Sequence, residues 1–239
     1  MIRIGPQDHP PLNDAERSEL IGKLIVVTGA SRGLGYATAL LLGTCGAQVV
    51  AVARNVPRLE ELDDAIRAAG GTAPTLVPLD LKDGPAIDRL GASLFERWGS
   101  LDGFVGNAGV LGAPAPLGHV KAKDWDEVIA VNLTANWRLL RTLDPLLRKA
   151  DAGRVVLVTA EEGHTPRQFY APYAASKTAL ETVATIYAAE TANVSNIKVS
   201  LFQPGPMRTG LRAKQVPGEP PDSVPKPAET APGVARLCL

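Results

Sequence analysis

Short apolar runs alternate along this chain with longer stretches in which apolar residues recur at helical spacing. Leu24–Thr28, Ala47–Ala53, Thr75–Leu79, Gly103–Gly106, Val155–Thr159 and Lys198–Phe202 read as strands. Between them, Leu34–Cys45, Arg58–Ala69 behind Pro57, Pro85–Trp98, Asp124–Lys149 with Pro145 near its end, and Tyr173–Thr191 read as helices. Such alternation predicts an α/β fold: a doubly wound parallel sheet, covered by helices on both faces and joined by right-handed crossovers.

The ends depart from this rhythm. Residues 1–22 carry six charges and no apolar stretch, and they read as a loose N-terminal arm with a short helix capped by Asn13 or Asp14. Ala213–Gly233 holds six prolines and reads as a loop over the body, with one closing helix after Pro227. No apolar run remains after it for a further strand. The expected plan is one domain, residues 23–239, with six strands and a proline-rich lid at 213–233. The 21 uncharged residues from Gly33 to Ala53 are long enough for a membrane span. Their glycines and polar residues divide them into helix, turn and strand instead.

Composition narrows the function classes. Lys plus Arg is 25 and Asp plus Glu is 25, so no net charge draws the chain to nucleic acid or an anionic membrane. Cys45 and Cys238 are too few for a disulfide framework, and they suit a reduced, cytoplasmic protein. His9, His119 and His164 have no metal-ligand spacing, so no metal is expected.

The candidate chemistry begins at Thr28-Gly-Ala-Ser-Arg-Gly-Leu-Gly35, directly after the first strand and opening a helix. Glycines there allow a tight turn that brings backbone N–H groups and a helix N-terminus against a diphosphate. The second strand ends in Arg54, where many NAD sites place a carboxylate for the ribose 2′-hydroxyl. Arg54 and Arg32 together suit a 2′-phosphate, which favours NADP over NAD. Asp80-Leu81 ends the third strand, where a carboxylate can accept from an adenine amino group. Gly106-Asn-Ala-Gly109 ends the fourth, at the edge where open α/β sheets bind ligands. Tyr173 and Lys177 lie four apart on one helix face. Bringing a phenol from its free pKa of ~10 to near 7 takes about 4 kcal/mol. A neighbouring ammonium and an oxidised nicotinamide both act in that direction.

Glycine turn, Asn-Ala-Gly and Tyr-x-x-x-Lys, in that order after the first, fourth and fifth strands, resemble the short-chain dehydrogenase/reductase family from about Leu24 to Thr209. The resemblance implies a Rossmann-like fold and a homodimer or homotetramer acting on a small-molecule substrate. It implies cofactor contacts at Gly29, Ser31, Arg32, Gly33, Leu34 and Gly35 of the turn. Further contacts follow at Arg54, Asp80, Leu81, Asn107, Ala108 and Gly109, and at Pro204, Gly205 and Thr209 of the Pro-Gly-x-x-x-Thr segment. Tyr173 resembles the family's acid/base. Lys177 resembles the lysine that binds the nicotinamide ribose and lowers the tyrosine pKa. Asn132 resembles the asparagine that holds a water of the proton relay.

One departure stands out. The family's serine, thirteen residues before the tyrosine, is Ala160 here. Losing one such oxyanion donor costs ~2.7–4 kcal/mol. Thr159, His164 or a hydroxyl of the substrate are the candidate replacements; Glu161 and Glu162 fall near the site by inference, although most glutamates at a strand end are simply solvated. Two functions follow: an NADP(H)-dependent oxidoreductase for a carbonyl/alcohol pair, impaired to the extent that Ala160 is not replaced, or a non-catalytic NADP(H)-binding sensor or structural subunit.

Overall fold

A computed structural model describes residues 1–239. Seven strands form one wholly parallel sheet. They are β1 (Ile2–Ile4), β2 (Leu24–Thr28), β3 (Gln48–Ala53), β4 (Thr75–Pro78), β5 (Gly103–Gly106), β6 (Arg154–Val158) and β7 (Lys198–Phe202). The spatial order is β1-β7-β6-β5-β2-β3-β4. The chain winds one way from β2 and then the other, so the carboxyl ends of β2 and β5 flank the topological switch point, where open sheets bind ligands.

Burial on both faces explains the continuous apolar runs: all five residues of β2 are buried. Their side chains alternate. Ile25 and Val27 join one core layer with Leu42 of α2 (Gly33–Thr44), with Leu59, Leu62 and Ile66 of α3 (Val56–Ala68), and with Val234 of α9 (Pro227–Arg236). Leu24 and Val26 join the other layer. That layer holds Leu90 of α4 (Gly84–Trp98), Leu139 and Leu143 of α6 (Ala135–Leu147), and Leu180 of α7 (Ala171–Thr191). The uncharged stretch from Gly33 to Ala53 is α2 followed by β3, and no helix is long and apolar enough to cross a membrane.

Three expectations are corrected. First, the sheet has seven strands rather than six, and residues 1–22 are not a loose arm. Ile2–Ile4 pairs with Ser200–Phe202 and fills the outer position beside β7. The capped helix does form, as α1 (Asp14–Glu19), with Asn13 Oδ1 accepting from Glu16 N at 2.9 Å. Second, the proline-rich segment is not all loop. It carries the end of α8 (Gly210–Gln215), and the closing helix expected after Pro227 does form, as α9, but as a core element whose residues 230–235 are buried against α2. Pro227 sits at the helix start, where its missing N–H costs nothing. Third, Asp124–Lys149 is not one regular helix. A π turn at Ala130–Thr134 separates α5 (Ala122–Ile129) from α6.

Candidate functional site

A single cleft of about 530 Å³ runs along the carboxyl edge of the sheet, from the glycine turn to Tyr173. At the turn, Gly29 has φ +69°, and a Cβ there would come within 2.8 Å of Asn107 Nδ2. Gly35 lies beneath it, where a Cβ would enter the Gly29 carbonyl and the Asn107 amide. The turn can therefore close only without side chains. Thr28 locks it to β5: its hydroxyl accepts from the backbone N–H of Asn107 (3.0 Å) and of Ala108 (3.1 Å), and its carbonyl accepts from Asn107 Nδ2 (2.9 Å). Arg32 stands at the N-cap of α2 and offers no side-chain cap, which leaves the first helical amides for another acceptor. Arg32, Gly33 and Leu34 line the cleft. This chemistry fits a diphosphate.

Arg54, Asp80 and Leu81 line the same end. Arg54 NH1 lies 3.8 Å from Asp80 Oδ2, while Asp80 Oδ1 accepts from the backbone N–H of Lys82 at 3.0 Å. Two guanidinium groups thus border a pocket whose nearest carboxylate already has a cation and a backbone amide as partners. Asn107, Ala108, Gly109, Pro204, Gly205 and Thr209 also line the cleft. Thr209 serves the fold as well, because its Oγ1 caps α8 by accepting from Arg212 N at 3.1 Å. Two expected contacts are placed elsewhere: Ser31 is outside the lining and Gly35 is under it.

At the other end, α7 brings Tyr173 and Lys177 to the cleft, both buried. Lys177 Nζ donates to the Val158 carbonyl at 2.8 Å, and burial pulls its pKa down to about 8. Burial and then the Glu162 carboxylate push the Tyr173 phenol above its ordinary value. Asn132 sits in the π turn behind the cleft wall. Its amide accepts from Val110 N (2.8 Å) and donates to Val110 O (2.9 Å) and Ser176 Oγ (3.0 Å). Its own carbonyl accepts from Asn136 Nδ2 at 2.8 Å. Asn132 thereby braces the β5 loop against α7.

Of the two proposed protein substitutes for the missing serine, Thr159 lines the cleft but commits its hydroxyl elsewhere, and His164 lies outside the lining. The Thr159 hydroxyl donates to Glu181 Oε1, whose carboxylate lies outside the cleft. His164 faces a separate surface hollow with Arg3 and Glu181, its Nε2 3.1 Å from Glu181 Oε2. Adjacent residues at a strand end point to opposite sides, and Ala160 holds the side that matters.

Glu162 corrects a further expectation. It is 5% exposed, not solvated, and it faces the cleft from the turn Glu161–Gly163. Its Oε1 accepts from Gln215 Nε2 at the end of α8. Sequence reading also missed Pro6, Arg167, Gln203, Met207 and Arg212 in the lining. Pro6 arrives through β1, since Gln203 N donates to Ile4 O at 2.8 Å, and no local pattern announces that pairing.

A family model described as short chain dehydrogenase matches residues 23–220. YciK, an uncharacterised oxidoreductase of Escherichia coli K12, is 33% identical over 212 residues, covering 88% of this chain and 83% of its own. A structure from Pseudomonas syringae, described as a short chain dehydrogenase, superposes with a TM-score of 0.91 at 31% identity, covering 98% of this chain and 94% of that one. A short chain dehydrogenase from E. coli CFT073, crystallised with NADPH, superposes with a TM-score of 0.88 at 32% identity, covering 93% and 92%.

Proposed function

We propose that this chain, which belongs to the short-chain dehydrogenase/reductase family, is an NADP(H)-dependent oxidoreductase that reduces a small carbonyl compound. The observation that carries the reading is the continuity of the cleft, with the glycine turn and two arginines at one end and Tyr173 with Lys177 at the other. The crystallisation of a similar protein with NADPH supports the same cofactor here. When bound, that cofactor supplies the hydride.

The chain's own residues do the rest. Arg32 and Arg54 hold the 2′-phosphate, and the amides at the start of α2 hold the diphosphate. Lys177 presents an ammonium to the nicotinamide ribose, and Thr209 and the Pro204–Gly205 turn close the floor. Tyr173 keeps its proton because burial and Glu162 disfavour the phenolate. A protonated phenol is the state needed to donate to a carbonyl oxygen. Holding the reactants at near-attack distance supplies much of the remaining acceleration. The partner this requires is a small molecule.

Ala160 supports a second reading, a dinucleotide-binding protein without turnover, because both neighbouring protein substitutes are turned away. One experiment separates the two. NADPH binding is followed by fluorescence, and its oxidation is followed with a carbonyl panel. For an enzyme, Tyr173→Phe abolishes oxidation, and Ala160→Ser raises kcat by roughly 10²-fold through the restored donor. A binder takes up NADPH and responds to neither substitution. Failure to bind NADPH defeats both readings.

A further inference from the structure

Glu162 is a buried carboxylate at the reacting end of the cleft, and the protein does not use all of it. Its Oε1 accepts from Gln215 Nε2 and lies 3.9 Å from Arg167 Nε. Its Oε2 has no donor from the protein. A carboxylate has about four lone-pair sites. The second oxygen is accessible from the cleft, where a bound molecule can donate to it. The surrounding charge is mixed. Arg212, the other lining arginine on this side, is committed to Glu219 through two bonds of 2.7 and 2.6 Å. Glu161 lines the cleft too and has no ion pair within the protein. The reacting end therefore carries both signs, with Glu161 and Glu162 facing the same space as Arg167 and the Lys177 ammonium.

We infer that Glu162 is the specificity-determining residue, and that it selects a carbonyl compound carrying a hydrogen-bond donor, a hydroxyl or an ammonium group, beside the carbonyl. The inference rests on the carbonyl-reductase reading and deepens it. A donor on the substrate satisfies Oε2 and aligns the carbonyl with the Tyr173 hydroxyl. An unsubstituted ketone leaves Oε2 unsatisfied, and a keto acid brings like charge against it. Glu162 and Tyr173 line the same cleft. If Glu162 merely latches α8 through Gln215, removing either partner would change all substrates alike.

The test is NADPH oxidation with hydroxyacetone, butanone and pyruvate, three small ketones that differ in donor and charge. In the unaltered protein, kcat/KM is expected to follow that order. Glu162→Gln preserves an acceptor for Gln215 but loses the charge-assisted bond, so the ratio of hydroxyacetone to butanone falls roughly ten-fold. Gln215→Ala, which removes the latch and a lining side chain but keeps the Glu162 carboxylate, leaves the ratio within about two-fold. Fluorescence of bound NADPH, titrated with the same compounds, reads the preference without turnover. A ratio unmoved by Glu162→Gln, an equal fall in Gln215→Ala, or a first preference for butanone or pyruvate overturns the inference. Turnover or binding without donor preference defeats only the selection by Glu162. NADPH that fails to bind defeats the underlying reading as well.

Discussion

Lys177 lies one helical turn from Tyr173, yet its ammonium donates to the Val158 carbonyl, and its Nζ stands 5.8 Å from the centre of the phenol ring. Spacing along a helix sets which face two residues share, but not what each one bonds to. Complete burial lowers the Lys177 pKa to about 8. The group is therefore cationic below that pH and neutral above it. NADPH affinity is expected to be level at lower pH and to weaken as pH rises through about 8. Titration of Kd against pH should show that break, and Lys177→Met should remove it while lowering affinity throughout. Ala160 makes the complementary point. Its consequence depends on where Thr159 and His164 point, and both point toward Glu181.

At the scale of elements, β1 and α7 are joined by a polar cluster in which the buried Glu181 meets the exposed Arg3 and His164. Arg3 NH1 lies 3.0 Å from Glu181 Oε2, whose side chain is 7% exposed. Arg3 also bonds to His164, and Thr159 donates to the other carboxylate oxygen. The cluster ties the N-terminal strand to the helix that carries Tyr173. Deleting residues 1–5 removes the β1 ladder and leaves Glu181 without its arginine, so Tm is expected to fall by roughly 3–6 °C in thermal unfolding. Glu181→Gln in the truncated chain should recover part of that loss, because a neutral amide needs no counter-ion. A truncated protein that melts unchanged would show the strand to be incidental. The strand was invisible in sequence for a physical reason. Three residues, two of them largely exposed, carry no alternating pattern, and only the open edge of β7 makes them a strand. The π turn at Ala130–Thr134 escaped for a similar reason, since its side-chain bonds are to Val110 and Ser176, distant in sequence.

At the scale of the whole molecule, a ligand that binds only the folded state stabilises it by mass action. NADPH at about 100 times its Kd should add ~2.7 kcal/mol, or roughly 5–10 °C in Tm for a chain of this size. NADH at the same concentration should give a smaller shift, and Arg32→Ala with Arg54→Ala should bring the NADPH shift down to the NADH value. Equal shifts in the unaltered protein would remove the case for a 2′-phosphate site.

Local pattern was enough to specify the parallel architecture, the crossover helices, the glycine turn and the pairing of Tyr173 with Lys177 on one face. Each of these rests on periodicity or on near-neighbour spacing, which the chain carries in its linear order. Tertiary structure decided the seventh strand, the bracing role of Asn132, the direction in which the Tyr173 pKa moves and the burial of Glu162 beneath Gln215. Those depend on groups the fold brings together from separate elements, and on how far each is withdrawn from water. Neither quantity is written in the spacing of residues.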